Sequence, residues 1–265
     1  MGRDGKGTGA LDGSRILIIG ASSGIGRALG AQAAEAGAAV AFAARRADRV
    51  EAAAAEAGGG AVALRCDVRD EDSCAAVVAD AAAALGGLDA VVYAAAVDVL
   101  CRIADADMDT WADTFATNVF GAARVTAAAL PHLRASGGRA VLVSASSVDR
   151  PLPGMGVYAA SKAALEAMAR AWQAEHPDVC VANVRIGSAL GSDIMASWDR
   201  DLLLELSPQW QALGYVHDNG PGGPMTLDQA AAAILGVLTS PVWLRDMTAV
   251  SAPAAANGAA GKAAS

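Results

Sequence analysis

The sequence predicts an α/β protein: one domain built on a doubly wound parallel sheet with helices on both faces. Two observations carry this prediction. Short β-branched runs alternate with alanine-rich helical stretches along nearly the whole chain. A glycine-rich turn, Gly20-Ala-Ser-Ser-Gly24-Ile-Gly26, joins the first such run directly to the first helical stretch. Right-handed crossovers then place a binding crevice at the carboxyl ends of the strands.

The elements follow in order. Residues 1–14 are glycine-rich and polar, and are expected to be flexible. Arg15 to Ile19 reads as a buried strand, and the following helix runs to Ala36, with Gly37 suited to end it. Strands are expected at 38–43, 61–66, 89–94, 141–144 and 179–184, with a last one inside 242–250. Helices are expected at 48–57, 71–85, 110–135, from Tyr158 to His176, and 227–238. Pro131 kinks or divides the third of these. Residues 187–225 are irregular apart from a helix around 193–206, and the tail 251–265 is low-complexity and expected to be disordered. The folded domain is thus 15–250.

Composition narrows the function. The 265 residues are 54% hydrophobic, ample for a core, yet the apolar runs are short and broken by glycine or charge, so no membrane span is expected. The N-terminus has no apolar segment of signal type. The net charge is −8 with no large Lys/Arg cluster, which argues against nucleic acid. Cys66, Cys74, Cys101 and Cys180 are scattered, as are His132, His176 and His217. They suggest a reducing, cytoplasmic setting and no metal site.

Two motifs carry chemistry. In the turn at 20–26, Gly20 permits the tight bend, while Gly24 and Gly26 let backbone and helix come close to a pyrophosphate. The helix N-terminus supplies free N–H groups. Strand, spacing and helix together point to a dinucleotide. Far downstream, Tyr158 and Lys162 lie one turn apart on one helix face. An ammonium beside a phenol favours the phenolate and is expected to lower the tyrosine pKa, making it an acid/base.

The glycine pattern and the distant Tyr-x-x-x-Lys, in this order, resemble the classical short-chain dehydrogenase/reductase family over residues 12–250. Cys66-Asp67-Val68 is similar to the family's Asp-Val pair, which holds adenine, and Asn118-Val-Phe-Gly121 to its asparagine motif. The resemblance implies a Rossmann-type fold and hydride transfer between a carbonyl and a secondary alcohol. Tyr158 would be the acid/base. Lys162 would tune it and bind the nicotinamide ribose, and Asn118 would anchor a relay water. Ser22, Ser23 and Ile25 complete the cofactor loop, and Ala95 leaves room for the cofactor. Arg45-Arg46 follow strand two, where the adenosine ribose lies in this fold. A guanidinium there suits the phosphate of NADP(H), with Arg45 preferred.

The sequence also departs from the family. The serine expected 13 positions before the tyrosine is Ala145. Either Ser146 replaces it through a one-residue slip, or the hydroxyl is lost. Tyr93-Ala-Ala-Ala96 stands for Asn-Asn-Ala-Gly, and Ile186-Gly187 for Pro-Gly. The alternative function is therefore altered, non-redox chemistry, or a non-catalytic partner subunit; a nucleotide sensor is a third reading. The segment 187–225 is by resemblance a substrate lid. Its Met195, Trp198, Leu202 to Leu204, Trp210 and Tyr215 either receive an apolar or aromatic small molecule or pack the lid or a subunit contact. The family implies a homodimer or homotetramer.

Overall fold

The computed structural model describes residues 9–191, 193–214 and 223–252. Strand β1 (Arg15–Ile19) enters the sheet beside β2 (Ala39–Ala44) and β4 (Ala90–Tyr93). With β3 (Val62–Arg65), β5 (Arg139–Ala145), β6 (Cys180–Ile186) and β7 (Asp246–Ala249), the order is β3-β2-β1-β4-β5-β6-β7, all parallel. The chain winds outward in both directions from β1 and β4, so the switch point of the sheet lies between them.

Alternation along β1 builds two cores. Ile16 and Ile18 face α1 (Gly24–Glu35), α2 (Ala47–Ala57) and α8 (Leu227–Thr239). Leu17 and Ile19 face α3 (Glu71–Leu85), α5 (Gly121–Ser136) and α6 (Gly156–Glu175). Much of the packing is alanine, which lets helices lie close to the sheet. At Gly30 an added Cβ would fall 2.2 Å from the Phe42 ring.

Two helix expectations are corrected. The helix expected over 110–135 is α4 (Met108–Phe115), one π-helical turn at Ala116–Phe120, and then α5, which continues through Pro131. The π turn, not the proline, is the irregularity. The lid helix expected near 193–206 is α7 (Arg200–Ala212), preceded by a single 3₁₀ turn at Asp193–Met195. It starts where the Asp199 carboxylate caps the N–H groups of Asp201 and Leu202. Within the N-terminal stretch 1–14, Leu11 is buried and its N–H donates to Ala36 O at 3.0 Å, while residues 1–8 lie outside the described residues. Similarly, Ser251 at the start of the expected tail is buried and bonds Gly223 O. The remaining tail residues, 253–265, and Tyr215 and His217 of the lid, lie outside the described residues.

Candidate functional site

The glycine turn closes against the switch point. The Gly20 and Ala21 N–H groups donate to Ala43 O of β2, at 2.8 and 3.1 Å. Gly20 has φ +89°, and an added Cβ would lie 2.5 Å from Ala95 N; at Gly26 it would lie 2.5 Å from Gly20 O. Both positions exclude a side chain. Gly24 also has positive φ. Ser23 caps α1 without using its side chain, so the first N–H groups of the helix have no side-chain acceptor. Ser22 is buried, and Ile25 is half-buried against the α1 core. This cradle suits an anion.

Arg46, rather than the preferred Arg45, reaches the turn. Its Nη2 donates to Ser22 Oγ and Ser23 Oγ, both at 3.1 Å. Arg45 is exposed, and its charge acts on Asp67. The cause is that β2 ends one residue later than expected and α2 starts one residue earlier, making Arg46 the cap. Arg49, unmarked by the sequence, joins Arg46 on Asp193 of the lid, at 2.6 and 3.2 Å. Past β3, Asp67 is held by Arg69, which donates from its backbone N, Nε and Nη2 at 3.1–3.2 Å. Those bonds place the Asp67 carboxyl below its ordinary range, against its partial burial. Val68 is buried beside Gly121.

On α6, Tyr158 and Lys162 are both buried. Lys162 Nζ donates to Val143 O of β5 at 2.8 Å and lies 5.6 Å from the Tyr158 ring centroid. Burial lowers the ammonium to about 8, while Asp98 and Glu166 pull it upward. Tyr158 does not follow the sequence expectation. Burial, joined by the Asp98 charge, raises its phenol above the ordinary value. At neutral pH the pair is a phenol beside an ammonium, a proton donor in place.

Asn118 sits in the π turn and is fully buried. Its Oδ1 accepts from Val97 N at 2.8 Å, and its Nδ2 donates to Val97 O at 2.9 Å and to Ser161 Oγ at 3.0 Å. Ser161 Oγ donates in turn to Tyr158 O at 2.7 Å. The Asn118 side chain therefore braces the loop after β4 against α6. Tyr93 does similar work: its buried phenol donates to Thr117 O at 2.5 Å, tying β4 to the π turn.

Ala145 ends β5 and packs in an apolar cluster around Tyr158, with Leu100, Met155, Leu206, Ala96, Trp198 and Trp210. Of the nearby serines, Ser144 is buried and spent on Glu166 Oε1 at 2.7 Å. Ser146 opens a 3₁₀ turn after Ala145. Ser147 Oγ is buried without a partner. Sequence reasoning missed Asp98, which is 2% exposed. Burial pushes its carboxyl up to about 7, against the Lys162 ammonium and the Trp198 indole. The trio Tyr158, Lys162, Asp98 becomes visible only when the loop after β4 is folded onto α6.

Among the described residues no cluster of His, Cys, Asp or Glu could hold a metal, and no helix is long and apolar enough to cross a membrane. Comparisons with known proteins agree with this architecture. An Arabidopsis thaliana 11-beta-hydroxysteroid dehydrogenase 1A is 38% identical over 160 residues, 58% of this chain and 46% of that protein. The glycine betaine reductase ATRR of Emericella nidulans is 35% identical over 171 residues, 63% of this chain but 14% of that protein. The chain thus spans about half the length, or less, of these curated relatives. A short chain dehydrogenase from Burkholderia cenocepacia in complex with NADP superposes with TM-score 0.77 at 27% identity, covering 91% of this chain and 98% of that one. An alcohol dehydrogenase from Thermococcus sibiricus complexed with 5-hydroxy-NADP gives 0.76 at 25%, covering 89% and 96%. The short chain dehydrogenase family model matches residues 14–202, and with the fold and the Gly20 turn in place the chain belongs to that family.

Proposed function

We propose that the protein is an NADP(H)-dependent oxidoreductase interconverting a carbonyl and a secondary alcohol, with Tyr158 as the acid/base. The observation that carries this reading is the buried Tyr158 phenol, held beside Lys162 in an apolar cluster at the carboxyl ends of the strands. NADP(H), when bound, supplies or accepts the hydride. The N–H groups at the start of α1 would hold its pyrophosphate, with Gly20 and Gly26 giving the clearance. Arg46 and Arg49 would take the 2′-phosphate through charge and fork geometry, and Asp67 and Val68 would flank the adenine. Tyr158 then gives its proton to the substrate oxygen during reduction, and takes one back in the reverse direction. The ammonium of Lys162 stabilises the phenolate that remains. The apolar walls exclude water and favour an apolar or aromatic substrate.

Two structurally similar family members were solved with NADP or a derivative and another with NADH, so the relatives support a nicotinamide dinucleotide, and the arginines after β2 favour NADP(H). The reading extends to a homo-oligomer in a reducing, cytoplasmic setting, supported by four free cysteines and by exposed Met108 and Phe120 near the π turn. Fluorescence titration with NADPH and NADH, followed by turnover on a panel of ketones, tests the proposal. Tighter NADPH binding and measurable reduction are expected. Tighter NADH binding would remove the cofactor assignment, and no turnover on any ketone would favour the altered-chemistry alternative that Ala145 raises.

A further inference from the structure

Arg46 and Arg49, assigned above to the 2′-phosphate, already hold an anion. Each donates from Nη1 to the same oxygen, Asp193 Oδ2, at 3.2 and 2.6 Å. Arg46 at the same time donates from Nη2 to Ser22 Oγ and Ser23 Oγ, both at 3.1 Å. Two guanidiniums converging on one anionic oxygen beside the glycine turn are what a phosphate oxygen would use there. Asp193 therefore stands in for the phosphate.

Asp193 is also the first residue of the lid's 3₁₀ turn. Its carbonyl accepts from Ala196 N at 3.0 Å, and Met195 O accepts from Trp198 N at 3.2 Å. Ile194 and Trp198 both pack against the cluster that holds Tyr158. The short stretch from Asp193 to Trp198 thus joins the arginines to the apolar walls of the candidate active site. The carboxylate and a phosphate compete for the same Nη1 donors, and their like charges repel. The phosphate brings up to about two negative charges against one. The side chains of the Asp193 pairs are 40–48% exposed, and exposed ion pairs are weak. The contact biases the lid and remains displaceable.

We propose that Asp193 latches the lid, and that the 2′-phosphate of NADP(H) displaces it and loosens the segment carrying Ile194 and Trp198. NAD(H), with a hydroxyl at that position, leaves the latch closed. This inference rests on the NADP(H) reading above and adds a link from the cofactor's phosphate to the substrate side.

The test needs no turnover. Hydrogen exchange is measured by mass spectrometry on peptides covering residues 193–206 of the full chain. The probe is adenosine 2′,5′-bisphosphate, which carries the phosphate without the nicotinamide half, compared with adenosine 5′-monophosphate, each at saturation. In wild type the bisphosphate should speed exchange over Asp193 to Trp198 several-fold, and the monophosphate should leave it unchanged. Asp193→Asn keeps the size and loses the charge; it should exchange at the faster rate without ligand and not respond to the bisphosphate. Equal effects of the two nucleotides, slower exchange with the bisphosphate, or an asparagine variant that behaves as wild type overturns the latch. If the bisphosphate binds no tighter than the monophosphate, the NADP(H) reading fails and the latch falls with it; tight bisphosphate binding with an unmoved lid overturns the latch alone.

Discussion

Glu166→Ala is expected to be among the most damaging single changes near the site. The Glu166 carboxylate is 1% exposed and lies one turn beyond Lys162 on α6. It accepts from Arg185 Nε at 2.7 Å and Nη2 at 2.5 Å, and from Ser144 Oγ at 2.7 Å. It therefore links α6, β5 and β6. Burial pushes the carboxyl up, but the bonds from Arg185 and Ser144 outweigh it and leave the group below its ordinary pKa. Its stabilising contribution is thus present above the ordinary glutamate pKa and is lost as pH falls through the folded value.

Removing one partner of a buried ion pair costs about 3–5 kcal/mol. Arg185 keeps Asp149 at 2.8 Å, which places its share at the low end. The orphaned Ser144 hydroxyl adds about 1 kcal/mol. The total is about 4 kcal/mol, or roughly 8–16 °C of melting temperature for a domain of this size. Glu166→Gln keeps an acceptor for Ser144 and should lose about half as much. Lys162 also loses one of the two charges that raise its pKa, so its ammonium should titrate below about 8. Thermal unfolding at neutral pH checks the ranking. A loss under about 3 °C for the alanine variant, or equal losses for both, would refute the reasoning.

Other expectations follow from the same geometry. The Asp98 carboxyl, raised from 3.8 to about 7, makes stability fall as pH rises toward and through 7, by about 2.5 kcal/mol between pH 5 and 8. Asp98→Asn should remove that slope, read as a melting-temperature difference that grows by roughly 6 °C over the range; a constant difference contradicts it. Asp193→Ala frees Arg46 and Arg49 from a competing carboxylate and should tighten NADPH several-fold without changing NADH, measured by fluorescence titration. Tyr93→Phe strips the buried Thr117 carbonyl of its phenol donor and should cost about 1–2 kcal/mol in denaturant unfolding.

What the sequence made legible was what depends on local pattern. Strand β1, the 20–26 turn and the Tyr158/Lys162 spacing are all readable because alternation, glycine and helix period act over a few residues. Which of Arg45 and Arg46 meets the Ser22-Ser23 turn was not, because it depends on a one-residue difference in where β2 ends and α2 begins. The π turn that presents Asn118 has no sequence signature. The raised Tyr158 pKa comes from burial by distant segments and from Asp98, a loop residue with no motif around it. Tyr93 stands where the family has asparagine, and that its phenol ties β4 to the π turn shows only in the fold.

The account turns on Tyr158 acting as the proton donor. Its most direct test compares wild type and Tyr158→Phe at saturating NADPH, measuring kcat on a ketone and, separately, the NADPH Kd. The expected result is a kcat lower by about 10²–10⁴-fold with the Kd changed less than about three-fold. A variant that keeps most of its kcat would contradict the account.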